Sequence, residues 1–405
     1  MEILQKVAQR HNLVCLLHEK PFSGVNGSGK HNNWSLSTRE GKNLLDPGET
    51  PYENAQFLLF LCAVIKAVDD YQDLLRISVA GAGNDHRLGG NEAPPAIVSI
   101  FLGEELSEIL DAIEKDKAYD SKEKVQMKIG VHVIPRFPKD TTDRNRTSPF
   151  AFTGNKFEFR MLGSTASISE ANVVINTAVA ESPRQYADEL EGASDFETAL
   201  HQLIQRTIKD HKRIIFNGNG YDDAWVKEAQ KRGLYNLKTT PECLPHLVSE
   251  KNINLFNQHK VYSEIELHSR LEIMMENYCK VINIEALTMI DMAEKDILPS
   301  VSKFIGQLSS NIIASKNACG VVSSYEEETI KRAAELLSLS YSTVKKLKAD
   351  LLDTKEDVTE CANYYKDVVI PDMNALRDFV DELETICARE YWPYPGYGEI
   401  LFGVR

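Results

Sequence analysis

Residues 144–160 read RNRTSPFAFTGNKFEFR. Two apolar runs flank Thr153-Gly154-Asn155, a turn-type cluster, so two short strands joined by a turn are expected. In the second strand Lys156, Glu158 and Arg160 alternate with Phe157 and Phe159. A strand sends alternate side chains to opposite faces. One face is therefore aromatic and buried, and the other shows cation, carboxylate, cation. That row is either the exposed polar face of an antiparallel sheet or a site holding an anion and a metal together. Glu158 suits Mg²⁺ or Mn²⁺, which take oxygen donors. Arg146, Lys156 and Arg160 would balance phosphate and carboxylate charge.

Two other stretches have chemical potential. Asn26-Gly27-Ser28-Gly29-Lys30-His31 is a glycine loop leading into a strand. Glycines let the backbone approach a ligand closely, and loop N–H groups can meet an anion. The GxxxxGK[ST] spacing of a P-loop is absent, and a surface turn is an equal reading. His31, where the loop becomes a strand, is a metal ligand or a structural histidine. Asp85-His86-Arg87-Leu88-Gly89-Gly90-Asn91-Glu92-Ala93-Pro94-Pro95 sets an Arg and a Glu around a glycine pair. The glycines permit a mobile flap and the prolines fix its return. Arg87 could grip a carboxylate with two parallel hydrogen bonds, and Glu92 could accept a proton. Alone, each is also a plausible surface loop.

Several elements must position these residues. The opening ten residues read as an amphipathic helix and Leu13 to Glu19 as a strand. Pro51 to Leu75 has helical periodicity, Arg76 to Pro95 is loop-rich, and Ala96 to Leu102 reads as a strand. Glu104 to Lys117 is a helix and Lys128 to Ile134 another strand. Ser169 to Ala187 and Phe196 to Phe216 are helical. This is an α+β pattern. From about residue 250 the character changes. Ser263 to Leu308 has long helical periodicity, interrupted near Pro299. Ile330, Leu337, Tyr341, Val344, Leu347 and Leu351 stripe one further helix, and Val358 to Cys387 another. Spacings of three and four predict an antiparallel hairpin or bundle whose stripes are core. The division expected is 1–250 and 251–405. Tyr391 to Tyr397 is an aromatic, Pro-rich tail expected to dock as an extended arm, on this subunit or another.

The composition is that of an ordinary globular chain: 405 residues, 42% apolar and 26% charged. A net charge of −14 argues against general nucleic-acid binding. No apolar run reaches the roughly 18 residues a membrane span needs. The seven cysteines are scattered singly with no CxxC pair, which fits free thiols in a reducing cytoplasm.

Taken in order, the three stretches resemble the glutamine synthetase family, and fit its long type III branch best. NGSGKH matches the family's glycine loop with its histidine. RLGGNEAPP resembles its Glu-Ala-Pro flap, and NRT…KFEFR its Arg-x-Glu-x-Arg end of the barrel. The resemblance implies a catalytic barrel of antiparallel strands with flanking helices, incomplete here, followed by a long-helix bundle. It implies ATP-dependent joining of ammonia to glutamate through γ-glutamyl phosphate, in a cytoplasmic ring of identical subunits. The implied metal ligands are His31 and Glu158. Asn26, Gly27, Arg87 and Arg160 would bind glutamate, and Asn33, Ser35, Arg146 and Lys156 would face ATP. Glu92 would close over the site and take a proton, and Arg146 would meet the transferring phosphoryl group.

Departures from the family pattern carry their own expectation. Ala151 stands where the common bacterial type has a second arginine, and Lys156 cannot replace its bidentate fork. Most metal-binding glutamates of the family lie upstream of this sequence. The chain is therefore expected to be the C-terminal part of a longer enzyme. Alternatives are a non-catalytic or regulatory subunit, or a ligase joining glutamate to another amine.

Overall fold

A computed structural model describes residues 2–15, 17–22, 24–117, 119, 147–353, 355–396 and 399. The expected strand Lys128 to Ile134, and Arg144 to Arg146, lie outside the described residues. The chain divides into two compact units, Met1–Leu271 and Glu272–Arg405.

The first unit is built around a four-stranded sheet in the order β1-β4-β3-β2. Its strands are β1 Gly29–Trp34, β2 Ile100–Phe101, β3 Phe150–Phe152 and β4 Phe157–Gly163. The hairpin β3–β4 forms where alternation placed it, with Phe150 opposite Phe159 and Phe152 opposite Phe157. Phe150 stacks on Phe157 at 4.8 Å, and Phe152 meets Phe157 edge-on at 5.2 Å. All four phenylalanines are buried. Helix α2, Ala55–Asp70, contributes Phe57 to that face, 6.0 Å from Phe152. Asn54 caps it by accepting the Phe57 N–H at 3.0 Å.

The structure corrects several expectations. β2 pairs with β3 in parallel, so the sheet is mixed. The strand expected over Ala96 to Leu102 shortens to Ile100–Phe101. The described residues of Leu13 to Glu19 join no sheet: Leu13 and Val14 are exposed, while Glu19 turns inward to hydrogen-bond Thr165. The glycine-dense stretch read as loop contains a helix, α4 Ala82–Arg87, after the short α3 Gln72–Ile77. The face of β4 opposite the phenylalanines is not solvated either. Arg160 is buried and Glu158 nearly so.

Further helices complete the unit. They include α1 Glu2–Arg10, α5 Glu104–Glu114, α6 Ser169–Leu190, α7 Phe196–His211, α8 Asp223–Lys231, α9 Thr240–Cys243 and α10 Glu250–Gln258. Helix α11, Glu264–Met292, carries the boundary between the units.

In the second unit α12 Leu298–Cys319, α13 Ser324–Asp350, α14 Val358–Tyr364 and α15 Ile370–Ile386 form the expected bundle. Lys346 meets Asp372 and Arg332 meets Glu382, so α13 and α15 run antiparallel. The break expected near Pro299 is instead a widened π turn, Ala293–Ile297, and a second one, Tyr365–Val369, precedes Pro371. Proline lacks an N–H and its ring clashes with the carbonyl four residues back. An extra residue in the preceding turn relieves both conflicts without breaking the helix. The tail docks within its own unit: Trp392 is buried beside Ile297, Val301 and Phe304, and the Tyr394 hydroxyl donates to Asp296 at 2.8 Å.

Candidate functional site

The site is assembled on the β1–β4 pair. Asn33 lies opposite Glu158, and Asn32 opposite Phe159. The register then shifts between Lys30 and Asn32, which makes His31 the residue at an irregularity. Two residues of β4, Arg160 and Met161, pass the single His31. His31 is thereby aimed at the Glu158 and Arg160 side: its Nδ1 lies 3.6 Å from Glu158 Oε2. Arg160 donates to that same oxygen from Nε at 3.2 Å and Nη2 at 3.0 Å.

His31 stands at ion-pair distance from a carboxylate, yet its pKa is lowered. Burial is the largest cause, the Arg160 charge adds to it, Glu158 opposes it, and Arg87 adds a little more. The imidazole is therefore held neutral, the form that ligates metals. It is also half exposed. His31 and Glu158 thus fit two ligand positions of a hard or borderline divalent cation.

Arg87 reaches the site from the end of α4. Its Nη1 donates to Asn84 Oδ1 and to the carbonyls of Met161 and Leu162, each at 3.2 Å; Nη2 donates to Arg160 O at 3.3 Å. The guanidinium bolts α4 to β4. Burial pulls its pKa down, against the charges of Glu19 and Tyr221. Gly29 explains how so large a group fits: a Cβ there would run into the Arg87 guanidinium. Helix α4 is itself braced by Asp85, which accepts from Arg76 Nη2 at 2.7 Å and from the Thr240 N–H at 2.6 Å. Burial pushes the Asp85 carboxyl up, while Arg76 and Thr240 pull the other way.

The flap and the glycine loop meet. Asn26 Nδ2 donates to Glu92 Oε2 at 3.0 Å across 66 residues of sequence. Asn91 and Glu92 both take left-handed backbone, at φ +51° and +66°. Non-glycine residues do so at a cost of order 1–3 kcal/mol and gather at ligand clamps. Tyr221 stands between flap and bolt. Burial and the Glu92 carboxylate raise its pKa, and Arg87 lowers it.

The remaining sequence candidates are distributed as follows. Gly27 packs closely over the Glu19 carbonyl and Arg87. Asn33 is exposed on β1, and Ser35 donates to Asn43 Oδ1 and Asn155 O, which ties it to the hairpin turn next to Lys156. Arg146 lies outside the described residues.

Sequence reasoning missed three contributors: Glu19, Asn84 and Tyr221. Glu19 is buried and its Oε1 accepts the Thr165 N–H at 2.9 Å and the Thr165 hydroxyl. Its carbonyl accepts the Ser28 N–H at 2.7 Å. It also fills the space beside Gly163, where a Cβ would strike its side chain. The available signal was a polar pair, His18-Glu19, ending an apolar run. Among the described residues, Asp69, Asp70 and His211 also bring three ligand-type groups within 4.8 Å of one another. There Arg213 Nε donates to Asp69 at 2.8 Å and Lys66 to Asp70 at 2.6 Å, so the carboxylates are already neutralised.

The geometry defines a class: an α+β protein with an imidazole, a carboxylate and buried guanidinia converging on one strand pair, under a strained flap. Comparison with known proteins narrows it. Residues 1–79 match the model of the glutamine synthetase catalytic domain, and residues 199–316 that of the glutamine synthetase C-terminal domain. The chain is 46% identical to a glutamine synthetase of Butyrivibrio fibrisolvens, over all of this chain and 58% of that protein. It is also 46% identical to the type-3 glutamine synthetase of Dictyostelium discoideum, over 99% of this chain and 56% of the relative. A glutamine synthetase of Bacteroides fragilis (strain YCH46) is 40% identical over 99% and 57%. The chain is similar to glutamine synthetases along its whole length, and spans a little over half the length of the curated relatives it matches.

Proposed function

We propose that this chain is the part of an ATP-dependent glutamate–ammonia ligase that carries the flap, the glycine loop and one metal position. The supporting observation is the convergence of His31, Glu158 and Arg160 beside the Asn26–Glu92 contact. In the reaction, the glutamate side-chain carboxylate attacks the γ-phosphate of ATP, releasing ADP and leaving γ-glutamyl phosphate. Ammonia then displaces phosphate. Mg²⁺ or Mn²⁺ at His31 and Glu158 would supply charge neutralisation at the phosphates. Arg160, released from Glu158 as that carboxylate takes up the cation, would pair with a glutamate carboxylate. Arg87 positions, since its donors already serve β4 carbonyls. Asn26 and Gly27 shape the glutamate side of the loop. Asn33, Ser35 and Lys156 form the nucleotide side, and Arg146 would meet the transferring phosphoryl group. Glu92 excludes water from the acyl phosphate and accepts a proton from ammonium.

Several finer readings belong to the same proposal. They are closure of the four strands into the family's barrel, a catalytic part over 1–250 with a helical part over 251–405, a ring of identical subunits, and a cytoplasmic setting. No helix among the described residues is long and apolar enough to cross a membrane. A non-catalytic or regulatory subunit is the rival reading. A ligase for another amine uses the same groups.

A γ-glutamyl-hydroxamate assay on this chain, alone and with an N-terminal extension supplying the relatives' remaining length, separates these readings. Activity is expected from the longer form. Glu158→Gln should lower it at least about 100-fold while far-UV circular dichroism stays unchanged. An inactive longer form sinks the ligase, and an undiminished Glu158→Gln sinks the metal position.

A further inference from the structure

We propose that Cys279 and Cys361 are a covalent modification site: a thiol pair that a peroxide oxidises to a disulfide tying α11 to α14. The geometry comes from the turn beside it. The Tyr365 hydroxyl donates to Asn283 Oδ1 at 3.2 Å. Cys279 precedes Asn283 by four residues on α11, and Cys361 precedes Tyr365 by four in the other helix. Residues four apart stack on one helix face. The hydrogen bond therefore fixes both helix faces one turn away from the sulfurs, and the Cys361 sulfur comes close enough to Cys279 to raise its pKa. Met275, Ile282 and Ala286 on α11, and Ala362 and Tyr365 in the other helix, are buried.

Access and role can be read from the same region. Cys279 and Cys361 are partly exposed, unlike the fully buried Cys62 and Cys243. A small oxidant can reach the pair without unfolding the unit. Burial, and then the Cys361 sulfur, push the Cys279 thiol up to about 12. Cys279 thus holds its proton, which leaves Cys361 as the attacking sulfur of the pair.

The chemistry balances with hydrogen peroxide as the oxidant. The Cys361 sulfur attacks one peroxide oxygen, the O–O bond breaks, and one water leaves with the thiol proton. Cys361 is then a sulfenic acid. The Cys279 sulfur attacks it, the S–O bond breaks, and the second water leaves with the Cys279 proton. Two thiols and one peroxide give one disulfide and two waters, the sulfurs losing the two electrons that the peroxide gains. Dithiothreitol reverses the bond by thiol–disulfide exchange.

The test uses the full chain, reduced, desalted, exposed to one equivalent of hydrogen peroxide, alkylated and mapped by mass spectrometry. The expected result is a dominant linked peptide carrying Cys279 and Cys361, absent after dithiothreitol. Cys361→Ser should abolish it, and Cys279→Ser should leave Cys361 trapped as a sulfenic acid by dimedone. The proposal fails if both thiols alkylate as in the untreated control at a dose that oxidises exposed Cys319. It fails equally if Cys361 links to another cysteine. The wild-type map decides the question, so a poorly folding variant does not blunt it, and it needs no ligase activity.

Discussion

The two compact units treat charge in opposite ways. In Met1–Leu271 the charged side chains Glu19, Asp69, Asp73, Arg76, Arg87 and Arg160 are buried. In Glu272–Arg405, among the described residues, Asp372 is the charged side chain that is buried, and its partner Lys346 is exposed. The helical unit is held by apolar stripes such as Val301, Ala333, Leu336 and Leu383 with ion pairs on its rim. Removing a charge from water costs several kcal/mol unless partners replace the water. Such burial adds little net stability, yet it fixes guanidinium and carboxylate groups in place before any ligand arrives. The unit that carries the candidate site accepts that cost, and the bundle does not.

The sharpest way to break this contrast is to unpair the buried ions behind α4. Asp85→Ala leaves Arg76, 1% exposed, without its carboxylate and frees the Thr240 N–H. A loss of about 3–5 kcal/mol is expected, read from urea denaturation. Replacing both partners, as Arg76→Met with Asp85→Leu, should recover most of it, because the pair as a whole contributes little. If Asp85→Ala costs no more than a surface change, the charges of this unit are not structural.

Glu19 gives the next effect. Glu19→Ala strands the Thr165 N–H and hydroxyl and should cost about 1–3 kcal/mol. Glu19→Gln keeps an acceptor oxygen and loses only the charge that faces Arg87. Glutamine should therefore lie closer to wild type than alanine. Equal losses would show that the charge, rather than the hydrogen bonds, is what Glu19 contributes. A smaller effect concerns His31, whose folded pKa lies below the ordinary histidine value. The unfolded chain takes up that proton first, so stability falls as the pH drops through about 6.5. His31→Gln should remove that portion of the decline in a Tm-against-pH series. An unchanged series would mean that the imidazole titrates normally and is not held neutral by burial and the Arg160 charge.

Much of the sheet was legible because alternation is local: Phe157 and Phe159 against Glu158 and Arg160 needed only a period of two. The bundle stripes were legible for the same reason at a helical period. What sequence concealed is long-range or irregular. The strand irregularity that aims His31 depends on the register with β4, fixed by residues more than a hundred positions away. The Asn26–Glu92 contact spans 66 residues. Gly81, Gly83, Gly89 and Gly90 made residues 81–90 look like loop, although packing against β4 holds Ala82–Arg87 as helix. Glu19 sat at the end of an apparent strand, and its partner Thr165 lies 146 residues further along the chain. Arginine at position 87 reads as a substrate clamp from its type alone; its four acceptors come from the fold.

The smallest effect belongs to the other side of the comparison. Arg332 donates to both oxygens of Glu382, Nε at 2.6 Å and Nη2 at 2.7 Å, and also to Glu335 at 2.7 Å. By distance alone this is a stronger constellation than Arg76 with Asp85. All three side chains are nevertheless well exposed. Water and salt screen the attraction, and ordering three long side chains opposes it. Glu382→Gln should shift Tm by about a degree or less, and less again in high salt. Asp85→Ala in the same protein should move it several times further and with little salt dependence, because its pair has no solvent to screen it. If the Glu382 variant unfolds as early as the Asp85 variant, proximity rather than burial sets the worth of an ion pair here, and the contrast between the units loses its physical basis.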